Sequence, residues 1–92
     1  MSVRAKFVLN SYEAMTQPQS RQKDDGSWEQ LPPKEMRTLV LRPVYSDKPE
    51  SENKKFWDAT PTGEIRLGTV NPAAWEQFEI GKEYYVDFTP AE

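Results

Sequence analysis

The stretch from Gly63 to Phe88 leaves this chain the fewest choices. It reads GEIRLGTV, NPAAWEQF, EIGK and EYYVDF, a strand, a short helix, a tight turn and a strand with almost no slack between them. Asn71 before Pro72 is a helix start: Asn is a good N-cap acceptor, and Pro at the first helical position loses no needed N–H. Ala74, Trp75 and Phe78 then share one face of a helix predicted over Asn71 to Phe78. So short a helix needs packing to hold it. Gly81-Lys82 marks the exit turn. Tyr84, Val86 and Phe88 alternate with Tyr85 and Asp87, the pattern of a half-buried strand, and Pro90 ends pairing.

The earlier chain adds strands and loops. Val3, Ala5, Phe7 and Leu9 alternate with Arg4 and Lys6, a first strand with one buried face running to about Tyr12. Residues 16–34, TQPQSRQKDDGSWEQLPPK, are polar and punctuated. Asp25-Gly26 signals a turn, and Pro32-Pro33 argues against a central strand or helix interior. The expectation is a long polar loop or hairpin excursion with its tip at Asp24-Asp25-Gly26, poorly packed and tolerant of shortening. Met36 to Tyr45 is apolar on both faces, a strand buried on two sides or one that bends at Pro43. A charged loop, Ser46 to Lys55, leads to Phe56 and Trp57 in a short strand or loop. Ile65, Leu67 and Thr69 define a further strand.

Ninety-two residues without an internal repeat or linker make one domain, 1–92. The predicted fold is mainly β, a barrel or curled antiparallel sheet with one short helix near the C-terminus. A helix ahead of the last strand resembles the element order of an OB-fold, with an SH3-like barrel as the other option. The expected core is Phe7, Leu9, Val40, Ile65, Leu67, Trp75, Phe78, Val86 and one of Tyr84 or Phe88.

Composition narrows the chemistry. There is no Cys and no His, which removes disulfides, thiolate chemistry and the commonest general base and metal ligand together. Asp47, Glu50, Glu52, Asp58 and Glu64 lack EF-hand spacing, and the four glycines form no phosphate loop. No catalytic activity, metal or cofactor is expected. Residues 1–46 hold seven Lys/Arg against five Asp/Glu, and residues 47–92 five against ten. A duplex-DNA binder normally carries a strong basic excess. No apolar run reaches about 18 residues, so no membrane span is expected.

Three surface features are candidates for binding. Lys54, Lys55, Phe56 and Trp57 set two cations beside two rings, as single-stranded nucleic-acid binding uses, and Arg37, Arg42 and Arg66 could extend a stripe. Trp28 on the excursion and Tyr85 on the outer face of the last strand are candidate anchors for a protein partner. Self-association is expected, if anywhere, through the edges of the first or last strand, with Lys6 and Asp87 guarding them.

The segments KFVLNSY, VYSDKPESENKKFWDATPTGEIRL and NPAAWEQFEIGKEYYVDFTPAE are similar to small β-rich proteins of tailed-bacteriophage genomes, over about three quarters of the chain with residues 16–34 the departure. The resemblance implies a phage origin and carries no catalytic residue across. Met1 to Asn10 has charges within an alternating pattern and does not read as a signal peptide. The expectation is therefore a non-enzymatic protein of the host cytoplasm, or one incorporated in the virion, that contacts a phage or host protein. An OB-type single-stranded nucleic-acid binder is the alternative.

Overall fold

The computed structural model describes residues 3–46 and 48–92. Asp47, one of the candidate carboxylates, lies outside the described residues. Among the described residues, four antiparallel strands form one sheet: β1 (Val3–Gln22), β2 (Trp28–Pro43), β3 (Ile65–Thr69) and β4 (Glu83–Phe88), in the order β3-β2-β1-β4. Two short helices, α1 (Glu52–Trp57) and α2 (Pro72–Trp75), lie between β2 and β3 and between β3 and β4.

The mainly β expectation holds, but the sheet is open and no barrel closes. Its ends are β3 and β4, so β1 is a central strand rather than an edge. The long β1–β2 hairpin explains this. It places β2 on one side of β1 and leaves the other side to the C-terminal strand, which pairs with Val3 to Val8. Lys6 therefore lies inside the sheet and guards no edge.

Register decides what is buried. Phe7 opposes Pro43 and Tyr84, and Leu9 opposes Leu41. Asn10 is then an extra residue between the Leu9–Leu41 and Ser11–Val40 pairs, a β-bulge. One face carries the core: Ala5, Phe7, Leu9, Leu39 and Leu41 beneath Trp75, flanked by Trp57, Ile65, Phe78, Tyr84 and Val86. Val40 is buried on the opposite face, where its cross-strand neighbours are Ser11 and Arg66. Leu67 departs from the expected core at 50% exposed, because it stands on an edge strand with a neighbour on one side only; of Tyr84 and Phe88, Tyr84 is the one that packs against the core, and Phe88 is 51% exposed.

The expected excursion is a hairpin that continues β1 and β2 without a break. Among the described residues, no third strand accompanies it beyond the Arg37–Thr69 pair. Met15 to Gln22 and Trp28 to Met36 thus form a two-stranded arm about 25 Å long at roughly 3.3 Å per residue. Pro18 and the Pro32-Pro33 pair meet where the register shifts between Gln17–Lys34 and Gln19–Leu31. One residue stands against two there, and proline's missing N–H is tolerated because neither strand has an outer neighbour. The arm shows in the dimensions. The radius of gyration is 18.1 Å, against about 12 Å for a compact chain of this length. The accessible surface is 6974 Å², against about 5,500 Å² expected for 10.7 kDa.

Candidate functional site

Phe56 and Trp57 lie on α1, a helix where a strand or loop was expected. Ser51 caps it, its Oγ accepting from the Lys54 N–H at 3.1 Å. Glu52 in the first turn and Lys54 and Lys55 in the last agree with the helix dipole. Asp58 ends it in the left-handed region at φ 57°, its N–H donating to the Lys54 carbonyl at 2.8 Å. Adjacent helical positions point about 100° apart, so the two rings cannot present one stacking surface. Trp57 turns inward onto the edge of Phe7, with centroids 6.1 Å apart, while Phe56 stays outside and touches Trp57 at 4.5 Å.

Tyr85 is brought close to this helix by β1. Alternation puts Arg4 and Lys6 on the solvent face of β1, and register sets them opposite Asp87 and Tyr85. Arg4 lies over the Tyr85 ring at 4.8 Å and Lys6 at 5.4 Å. Arg4 also donates from Nε to Asp87 at 2.6 Å. That bond raises the Arg4 guanidinium above its ordinary value and holds the Asp87 carboxyl below the usual carboxylate range. Glu52 reaches toward the same ring. Its carboxyl is held low first by a hydrogen bond from its own backbone N–H, with partial burial opposing and Tyr85, Lys6 and Arg4 adding to the effect.

Two open clefts meet at Glu52. One of about 280 Å³ runs past Lys6, Tyr45, Lys48, Asn53 and Glu83. The other, about 270 Å³, is lined by Val3, Arg4, Lys55 and Phe56. Lys55, Phe56 and Tyr85 therefore belong to one patch, joined through Arg4 and Glu52. Its charges largely cancel: Arg4 is paired with Asp87, and Lys6 stands 3.8 Å from Glu83.

The remaining candidates lie elsewhere. Trp28 opens β2 opposite Gln22 and is 67% exposed beside the turn at the arm's tip. Gln22 lies sixteen positions along β1 from Lys6, so Trp28 is about 50 Å from the Tyr85 patch. The tip is well built: Lys23 N–H donates to the Ser27 carbonyl at 2.7 Å, and the Asp25 carboxylate accepts from Ser27 N–H and Oγ. The arginine stripe does not form. Arg42 and Arg66 share one face and both pair with Glu64, whereas Arg37 lies on the other face between the Tyr12 and Trp75 rings at 4.7 Å from each.

Arg4, Lys6 and Glu52 are site residues that sequence reasoning missed. The first two could have been found by pairing the alternating pattern of residues 3–9 against that of 83–88. No sequence signal marks Asn53, whose side chain bonds the Lys6 and Val44 backbone. No protein-family model, curated protein or solved structure matches the chain.

Proposed function

We propose that this is a non-enzymatic phage protein that acts by binding another protein, as a minor virion component or as a modulator of a phage or host protein inside the infected cell. The observation that carries the reading is the arm. A two-stranded hairpin is marginal in water unless a face is covered, and this one projects beyond the sheet with Trp28 67% exposed at its tip. A rigid aromatic held away from the body is a typical interface anchor. The phage origin rests on the likeness of the N-terminal, central and C-terminal segments to phage proteins.

Photo-crosslinking from the arm tests this. A photoreactive phenylalanine in place of Trp28, expressed in infected cells, should trap one defined protein, whereas the same group at Thr62 should not. Products only from Thr62, or none from either position, would overturn the reading. Mass spectrometry of purified virions then separates the structural role from the intracellular one.

The alternative is single-stranded nucleic-acid binding by an OB-like surface. It is favoured by one observation: Lys55, Phe56, Arg4 and Tyr85 set exposed rings among cations on one patch. The carboxylates paired with that patch oppose a polyanion. Salt-sensitive micromolar binding of an oligonucleotide, lost in Phe56→Ala, would favour this alternative.

A further inference from the structure

The sheet ends at β4, and the hydrogen-bond phase of that strand is fixed. The Leu9 N–H donates to the Lys82 carbonyl at 3.1 Å, and the Gly81 N–H donates to the Leu9 carbonyl at 2.9 Å. Val3, Ala5 and Phe7 share that phase and stand opposite Phe88, Val86 and Tyr84. Glu83, Tyr85 and Asp87 consequently turn their N–H and C=O groups outward, into the open edge. The strand, EYYVDF, has no Lys, Pro or bulge of the kind that blunts an edge, and its two charges, Glu83 and Asp87, are paired with Lys6 and Arg4 of β1. Tyr85 and Phe88 are 52% and 51% exposed.

We propose that β4 pairs with β4 of a second copy of this chain, antiparallel about a two-fold axis at Val86, so that two four-stranded sheets become one of eight. A two-fold perpendicular to the sheet keeps like faces together, so only residues of the same parity can stand opposite each other. Only two registers then pair five residues of β4. The register centred on Tyr85 sets Glu83 against Asp87 twice, and like charges directly opposite are destabilising. The register centred on Val86 sets Tyr85 against Asp87 and Tyr84 against Phe88, and moves Glu83 opposite Thr89. Its outer face runs from Arg4 through Asp87 to the second copy's Tyr85 and Lys6, with no like charges opposite each other across the join. Charge thus selects the register, and the outward backbone groups of Tyr85 and Asp87 satisfy one another. This interface goes beyond the arm-borne contact and does not depend on it, since the two lie at opposite ends of β1.

The chain has no cysteine, so an introduced one reports cleanly. Residues at the two-fold form a non-hydrogen-bonded pair with Cα atoms about 4.5 Å apart, within disulfide reach. Val86→Cys should give a covalent dimer under mild oxidation, and Tyr85→Cys should not. Sedimentation velocity over a concentration series should show a monomer–dimer equilibrium for the unaltered chain. Tyr85→Glu, which keeps a favourable neighbour in Lys6 but faces Asp87 of the second copy, should weaken it about tenfold or more with unchanged circular dichroism. A monomer at every concentration, ready linkage through Tyr85→Cys with none through Val86→Cys, or an undiminished dimer in Tyr85→Glu would overturn the proposal.

Discussion

The Asn53 side-chain amide takes the place of a missing strand beside Lys6. Its Oδ1 accepts from the Lys6 N–H at 2.6 Å, and its Nδ2 donates to the Lys6 carbonyl at 2.7 Å and to the Val44 carbonyl at 2.6 Å. Phe7–Pro43 is the last β1–β2 pair, and past it β2 gives way to the loop that leads to α1. Asn53, 2% exposed, meets the Lys6 N–H and the Val44 carbonyl where the strands part, while the Lys6 carbonyl also accepts from the Val44 N–H at 3.0 Å, and so it ties α1 to the sheet.

Asn53→Ala should therefore be among the costliest polar substitutions. An unmet buried backbone group costs about 1–3 kcal/mol, and water reaching the gap offsets part of the total, so a loss of about 3 kcal/mol is expected. Asn53→Asp should lose a comparable amount, because a carboxylate accepts from Lys6 but cannot donate to two carbonyls. Urea midpoints measure both. A loss under about 0.5 kcal/mol in Asn53→Ala would show that the amide is incidental.

Trp75 roofs a small core, so its truncation should be felt throughout. Burying a ring of this size removes about 150–250 Å² from water. Trp75→Ala should cost about 3–5 kcal/mol, enough to unfold most of a marginal domain. Trp75 also forms one side of the Arg37 sandwich, with Tyr12 on the other. Arg37→Lys keeps the charge but loses the planar stack, and should cost about 1 kcal/mol. A melting temperature unchanged in Trp75→Ala would contradict the core assignment.

Local pattern was enough to reveal β4, the start of α2 and the tip of the arm. Alternation from Glu83 to Phe88, the Asn71-Pro72 pair and Asp25-Gly26 are short-range signals that the fold leaves intact. The cap is as expected, with Asn71 Oδ1 accepting from the Ala73 N–H at 3.1 Å. What escaped was set by distant pairing. Polar residues 16–34 read as either a loop or a hairpin because nothing in them asks for burial, and the strands there continue β1 and β2 because each is templated by the other. Leu67 read as core because alternation gives the face of a strand but not its place in the sheet. Phe56 and Trp57 read as one ring surface because adjacency was taken without a helical rotation. The Arg4–Tyr85–Glu52 patch needed the β1–β4 register, which no local signal supplies.

The arm should be dispensable for folding. The core cluster lies wholly between residues 5 and 86 of the body, and no residue from 15 to 36 belongs to it. Joining Gln17 to Lys34 through an Asn-Gly turn preserves their register and should leave the body folded, with stability within about 1 kcal/mol of the full chain. Thermal denaturation followed by circular dichroism measures this. Loss of the cooperative transition would show that the arm is structural.

Acid should weaken the sheet through Glu64. The Arg66 guanidinium hydrogen-bonds its carboxylate, and Arg42 stands 3.3 Å away, so the Glu64 carboxyl is held below its ordinary range. In the folded protein it stays ionised to a lower pH than in the unfolded chain. The stability it contributes is complete above the ordinary carboxylate value of about 4 and is lost as pH falls through the depressed folded value. Glu64→Gln removes that contribution at neutral pH and has little left to remove in strong acid. The gap in urea midpoint between the two proteins should therefore be open at pH about 7 and close by pH about 2. Because the pair is on the surface, about 1 M salt should narrow it at pH 7 as well. A gap that persists unchanged in acid would show that Glu64 acts by shape rather than by charge.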